Sequence, residues 1–217
     1  MRNKICTAAA LLAAAFTLSA CTSGEPAPDK PGTAVTEVTP DDKAATVLDT
    51  PFEKPDLVLT DTHGKEFDLR EQTQGRPTLI YFGYTNCPDV CPLTMNNLAV
   101  AKKQLPEEQQ DDLRIVFVTT DPERDTAGEL GAWLKGIDTD IIGLTGDFAT
   151  IQAGARTLGI TIEEPVKEKD GTVVSTHGTQ VVAFSPKTDQ GYVLYGEDTT
   201  VDDYTADLPA LIKGEKP

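Results

Sequence analysis

Residues 78–95 read TLIYFGYTNCPDVCPLTM. After Thr78, six apolar or aromatic residues run without a break, a tight polar stretch follows, and Cys87 and Cys91 each precede a proline. A continuous run of this length bounded by turn residues is the pattern of a strand buried on both faces. Proline favours the first helical position, so Pro92 is expected to open a helix whose inward face begins at Leu93 and continues through Leu98, Ala101 and Leu105. Cys91 then lies at a helix N-terminus and Cys87 in the loop above it. There the free amides and the helix dipole are expected to favour thiolate and lower the cysteine pKa. Pro88 and Pro92 stiffen the loop. A helical step of four residues covers ~6 Å, within reach of a disulfide, so the pair can close a bridge or stay open and grip a soft cation.

Working outward, RIVFVTT (114–120) reads as a second central strand, and residues 126–135 as a helix with Leu130 and Trp133 or Leu134 turned inward. Ile141 to Leu144 is a short strand, and Phe148, Ile151, Ala155 and Leu158 form a helical stripe that stops at Gly159. Upstream, residues 55–69 read as a hairpin with its turn at Gly64. Downstream, Gln180 to Phe184 and Tyr192 to Tyr195 flank SPKTDQG as another, and residues 201–213 form a closing helix. This order implies an α/β fold, a central mixed sheet with helices on both faces and an N-terminal β-hairpin. In such sheets reactive groups gather beyond the carboxyl ends of the strands, where Cys87 and Cys91 fall.

The chain has 217 residues, room for one domain plus appendages. Arg2 and Lys4 precede a short apolar run from Ala8 to Phe16, too short for a membrane span and laid out like an export signal. Leu18-Ser19-Ala20-Cys21 resembles a bacterial lipobox, which implies cleavage of residues 1–20, lipidation of Cys21 and anchoring on the extracytoplasmic side of the cell membrane. Residues 21–45, rich in Pro, Thr, Ser, Gly and charge, read as a disordered tether to a domain over 46–217. Export makes cysteine usage meaningful. Of four cysteines, Cys6 leaves with the signal and Cys21 is spent on lipid, so Cys87 and Cys91 are the thiols that remain. Arg2 and Lys4 leave too, taking the formal charge from −16 to −18. Such acidity argues against nucleic acid or anionic lipid as a partner.

Two thiolates underfill most metal sites, and the chain has two histidines. His63 sits in the turn DTHG, where an exposed polar residue needs no further reason. His177, in VVSTHGTQVVAF, lies just before a late strand; with the cysteines it makes a soft mixed set that suits Cu(I), tolerates Cu(II) and can also take zinc. Asp121 and Asp125, in TTDPERD at the end of the neighbouring strand, are expected to cap the next helix and fix the loop, with room for a supporting or partner-docking role beside the cysteines. A static disulfide is the blander use of the pair, but a five-residue loop constrains the unfolded chain little.

YTNCPDVCPLTM, VTTDPERDT and a lone histidine before a late strand together resemble the SCO/SenC copper chaperones, over residues 56–212. The resemblance implies a membrane-tethered, thioredoxin-like domain with Cys87, Cys91 and His177 as copper ligands, the two cysteines also a redox-active pair, and Asp121 and Asp125 as an acidic motif. It implies delivery of copper to the binuclear centre of cytochrome c oxidase subunit II, with another copper chaperone as a possible donor. The alternative it carries is a thiol–disulfide oxidoreductase that keeps that centre's cysteines reduced. The sequence departs from the family at Gly178, where a hydrophobic or hydroxyl residue often follows the histidine, and at Ala127, where proline commonly follows the threonine. The resemblance places Gly178-Thr179 where thioredoxins carry a cis-proline before a threonine, and it implies that His177 faces the cysteine loop.

Overall fold

The computed structural model describes residues 44–169, 171 and 173–217. The signal segment, Cys21 and nearly all of the expected tether lie outside the described residues. In chain order the elements are β1 (Ala45–Glu53), β2 (Val58–Asp61), β3 (Glu66–Asp68), α1 (Leu69–Gln72), β4 (Thr78–Gly83), α2 (Val90–Lys103), α3 (Glu107–Asp112), β5 (Arg114–Thr119), α4 (Ala127–Lys135), β6 (Ile142–Thr145), α5 (Phe148–Thr157), β7 (Val166–Lys167), β8 (Val173–Val174), β9 (Val181–Phe184), β10 (Gln190–Tyr195) and α6 (Val201–Ile212).

Eight strands form one mixed sheet in the order β1-β10-β9-β4-β5-β6-β2-β3, and β7 and β8 make a separate two-stranded ribbon. β4, β5 and β6 run parallel, joined by crossovers through α2 and α4, while β9 lies antiparallel against β4. The run TLIYFG is buried at every position, as its unbroken hydrophobicity requires of a central strand. Because side chains alternate along a strand, Leu79 and Tyr81 face one core with Met95 and Leu98 of α2, Leu130 of α4 and Tyr204 of α6. Ile80 and Phe82 face the other, with Ile151 and Ala155 of α5 and with Leu57 and Leu59 around β2. Both faces of the sheet are therefore covered, and the N-terminal hairpin β2–β3 turns at Gly64, whose φ of +75° suits glycine.

Several local expectations are corrected. β1, at the edge of the tether expected to reach residue 45, is a true strand paired antiparallel with β10. Asp89, rather than Pro92, begins the cysteine helix: it caps α2, and Pro92 stands third, where its missing N–H is still harmless. The inward face of α2 begins at Cys91 and runs through Met95, Leu98 and Ala101; Leu93 is 56% exposed. α4 is capped by Thr126, whose side chain accepts from Glu129 N, so Ala127 in place of proline costs the helix start nothing visible. Among the described residues no helix is long and apolar enough to cross a membrane.

Candidate metal centre

β4 stops at Gly83, and the stop positions everything after it. A Cβ on Gly83 would come within 2.8 Å of Cys91 Sγ and 2.7 Å of the Tyr81 ring, so only glycine lets the helix bring its sulfur onto the strand end. The chain then turns, Cys87 N–H donating to Tyr84 O at 3.2 Å, and enters α2. The Cys91 amide, in the first turn of α2, has no carbonyl to meet and donates instead to Cys87 Sγ at 3.4 Å. Cys91 Sγ accepts from the Tyr81 hydroxyl at 3.5 Å. Both cysteines are free thiols.

His177 reaches the pair from the extended segment between β8 and β9. Its Nδ1 is 2.9 Å from Gly178 O, and because a carbonyl can only accept, Nδ1 carries the proton. That leaves the Nε2 lone pair free, 3.8 Å from Cys87 Sγ. The Tyr84 ring packs tilted against the imidazole, centroids 5.5 Å apart. Gly178 is explained by crowding: a Cβ there would sit 2.7 Å from Ile160 Cγ2, so the segment can pass Ile160 only without a side chain. The donor atoms of Cys87, Cys91 and His177 all lie within 4.8 Å of one another. Ligands that share a first-row ion at bonds of roughly 2.0–2.3 Å stand roughly 3.3–4.6 Å apart, so the three meet an ion with little movement. Two sulfurs and an imidazole form a soft set that favours a cuprous, zinc or similar ion over magnesium or calcium.

Protonation differs from expectation, and access to the sulfurs is restricted. Cys87 is 6% exposed and Cys91 0%, although Asn86, Pro88 and Asp89 around them are exposed. Burial pushes the Cys91 thiol up to about 12, against the lowering expected from its place in the helix. Desolvation outweighs the Tyr81 and backbone hydrogen bonds that pull the other way. Cys91 is therefore a protonated thiol near neutral pH until a metal displaces its proton.

The two aspartates do not cap α4. Asp125, wholly buried, accepts from Thr85 N at 2.9 Å, from Thr85 Oγ1 at 2.5 Å and from Thr119 Oγ1 at 2.6 Å. Asp121, also buried, accepts from Ser175 Oγ at 2.8 Å and pairs with Arg124, whose Nη2 also donates to Ser175 Oγ at 3.2 Å. Thr85 is two residues before Cys87, and Ser175 two before His177. One short turn after β5 thus grips both ligand-bearing loops. Thr85, Ser175, Arg124, Tyr81 and Tyr84 were not singled out as site residues from the sequence. The one signal there was a hydroxyl two residues ahead of Cys87 and of His177. His63, by contrast, lies in the β2–β3 turn with its side chain 79% exposed, beside Asp61 and apart from the three donors.

Residues 44–213 match the family model described as SCO1/SenC. The chain belongs to the SCO1/SenC family. A Stutzerimonas stutzeri relative is 34% identical over 144 residues, 65% of this chain and 70% of its own length. The solution structure of apo Sco1 from Thermus thermophilus superposes with a TM-score of 0.69 at 28% identity, covering 78% of this chain and 96% of that one. The structure of Bradyrhizobium japonicum ScoI with copper bound superposes at 0.62 and 29%, covering 74% and 96%. Against mitochondrial SCO proteins of Arabidopsis thaliana, Bos taurus and Saccharomyces cerevisiae the chain spans less than half of the relative's length. The thioredoxin-like fold inferred from the sequence is that of these Sco structures.

Proposed function

We propose that this SCO1/SenC protein is a copper metallochaperone. Cys87, Cys91 and His177 bind one copper ion in the reduced protein, and the ion passes to the binuclear copper centre of cytochrome c oxidase subunit II. The observation that carries the reading is the convergence of two thiols and one imidazole, its Nδ1 against Gly178 O and its Nε2 toward Cys87, within 4.8 Å at the carboxyl end of the central strands. Binding a cuprous ion displaces the thiol protons, and the acceptor's own thiolates or imidazoles replace these ligands one at a time. Because both sulfurs are covered, handover needs the His177 segment or the cysteine loop to swing aside. In the same proposal residues 1–20 are a lipoprotein signal and Cys21 carries the lipid that holds the domain at the outer face of the membrane.

A second reading, a thiol–disulfide oxidoreductase for the acceptor's cysteines, is favoured by one feature. The Cys91 amide donates to Cys87 Sγ, as suits an attacking sulfur at a helix start, with a protonated Cys91 behind it as the resolving thiol. The test titrates reduced protein with Cu(I) against a competing chelator, then repeats with Cys87→Ser, Cys91→Ser and His177→Ala. One ion per chain and a loss exceeding the 10- to 100-fold typical of outer partners are expected for each variant. Unchanged affinity in His177→Ala removes the imidazole from the site. Copper-loaded and copper-free reduced protein are then each offered to an oxidised and to a reduced apo acceptor. Activity of the copper-free form alone, on the oxidised acceptor alone, favours the reductase.

A further inference from the structure

The two sulfurs sit in different surroundings. Cys87 Sγ accepts a backbone amide and faces His177, at the edge of the site. Cys91 Sγ lies inside, against β4, where the Tyr81 hydroxyl reaches it at 3.5 Å from a side chain with no exposed surface. The ring is held by strand alternation, which turns Tyr81 toward α2, and by Phe117, whose ring centroid is 6.0 Å away. Gly83 keeps the space between phenol and sulfur free of a methyl group. The Tyr81 side chain has no exposed surface, so bulk water does not reach a donor so placed.

We propose that Tyr81 is a positioning residue of the metal centre, donating its hydroxyl proton to Cys91 Sγ and thereby favouring whichever state puts most negative charge on that sulfur. A hydrogen bond to a charge-rich acceptor is about twice as strong as one to a neutral acceptor. Copper-bound thiolate therefore gains over disulfide, and cuprous thiolate, in which the sulfur keeps more of its electrons, gains over cupric. Hydrogen bonding around a copper-ligating sulfur is one of the ways proteins set a copper potential. The copper half of this proposal rests on the function proposed above; the disulfide half does not.

The experiment compares wild type, Tyr81→Phe and, as a control for loss of a buried phenol elsewhere, Tyr192→Phe, whose hydroxyl donates to Glu215 O. In the copper-free arm each protein is equilibrated with glutathione. Two thiols give two electrons and two protons to glutathione disulfide, which becomes two glutathione thiols as the Cys87–Cys91 bond forms. Reduced Cys91 is a thiol in this arm, and a thiol sulfur carries more negative charge than a disulfide sulfur though less than a thiolate. Tyr81→Phe is therefore expected to shift this equilibrium about threefold toward the disulfide; a tenfold shift would be about 30 mV. In the copper arm the ratio of Cu(I) to Cu(II) affinity is expected to fall about tenfold. The sulfur-to-Cu(II) charge-transfer band should move to lower energy. Tyr192→Phe should leave all three unchanged. Should Tyr81→Phe fail to fold, 3-fluorotyrosine at position 81, a stronger donor of nearly equal size, must move the same readouts the opposite way. A folded Tyr81→Phe with wild-type glutathione equilibrium, affinity ratio and band position overturns the proposal. If wild type binds no copper, the chaperone function falls and the glutathione arm alone decides the role of Tyr81.

Discussion

Replacing Asp125 with alanine tests whether the turn after β5 acts as the clamp that its contacts describe. The side chain is wholly buried and takes three hydrogen bonds, two from Thr85 and one from Thr119. The two hydroxyls can turn elsewhere, but the Thr85 amide cannot, and a buried donor left without a partner costs about 1–3 kcal/mol. With the hydroxyl bonds partly lost as well, the total should approach the ~3 kcal/mol at the low end for breaking a buried charged network. For a domain of this size each kcal/mol is about 2–4 °C in Tm, so a fall of about 6–12 °C is expected. The effect on copper follows separately. Freeing Thr85 frees the loop that carries Cys87, and re-ordering one backbone residue on binding costs about 1–2 kcal/mol, or about tenfold in affinity. Thermal denaturation followed by circular dichroism and a Cu(I) competition titration read the two effects. Thr85→Val keeps the amide bond and should reproduce only part of each, about 1 kcal/mol. An Asp125→Ala protein with wild-type Tm and affinity would refute the clamp. Loss of copper with Thr85→Val silent would instead put Asp125 on the metal itself.

Further outcomes are expected from the same geometry. Gly83→Ala should cost about 1–3 kcal/mol as an overpacked site and lower copper affinity, because its methyl meets Cys91 Sγ, whereas Gly196→Ala, with open space around it, should not affect affinity; equal behaviour of the two removes the argument for Gly83. Iodoacetamide at neutral pH should modify Cys87 before Cys91, read by mass spectrometry of the fragments, since Cys91 is fully covered and its thiol is pushed up to about 12; faster labelling of Cys91 would contradict the burial. Stability should fall as pH rises above 9. The native state holds protons on Cys91 and Tyr192, both raised to about 12 from 9.0 and 10.0, that the unfolded chain releases there. Urea midpoints flat from pH 8 to 11 would deny the shift. On the acid side Asp61 and Asp203, held below 3.8, largely by backbone and Thr200 hydrogen bonds that outweigh desolvation, lend stability that is present above pH 3.8 and lost as pH falls below it.

The sequence made the central sheet legible because LIYFG and IVFV, within β4 and β5, are unbroken apolar runs, the pattern of a strand buried on both faces. β1 escaped notice because an edge strand half open to solvent has no such run: ATVLDTPFE contains Pro51, and its register with β10 slips between Val47 and Phe52. The two-residue strands β7 and β8 are too short to leave a period at all. At the site, residue types and spacing pointed to Cys87, Cys91 and His177, which the fold brings together from positions 90 residues apart. What the sequence could not supply was burial. A helix N-terminus argues for thiolate, but how deep Cys91 lies is a property of the packed structure, and desolvation prevails. The aspartates were misread for a similar reason. They do fix the loop locally, through Thr119 and Arg124, but the expected cap is absent, and their other partners, Thr85 and Ser175, are 40 and 54 residues away.

X-ray absorption at the copper edge on the Cu(I)-loaded protein, repeated on His177→Ala, measures the ligand set itself. We expect two sulfurs and one imidazole nitrogen around a single copper, with the nitrogen lost in the variant. A sulfur-only shell shared between two chains, or a spectrum identical in His177→Ala, would contradict a centre built from Cys87, Cys91 and His177.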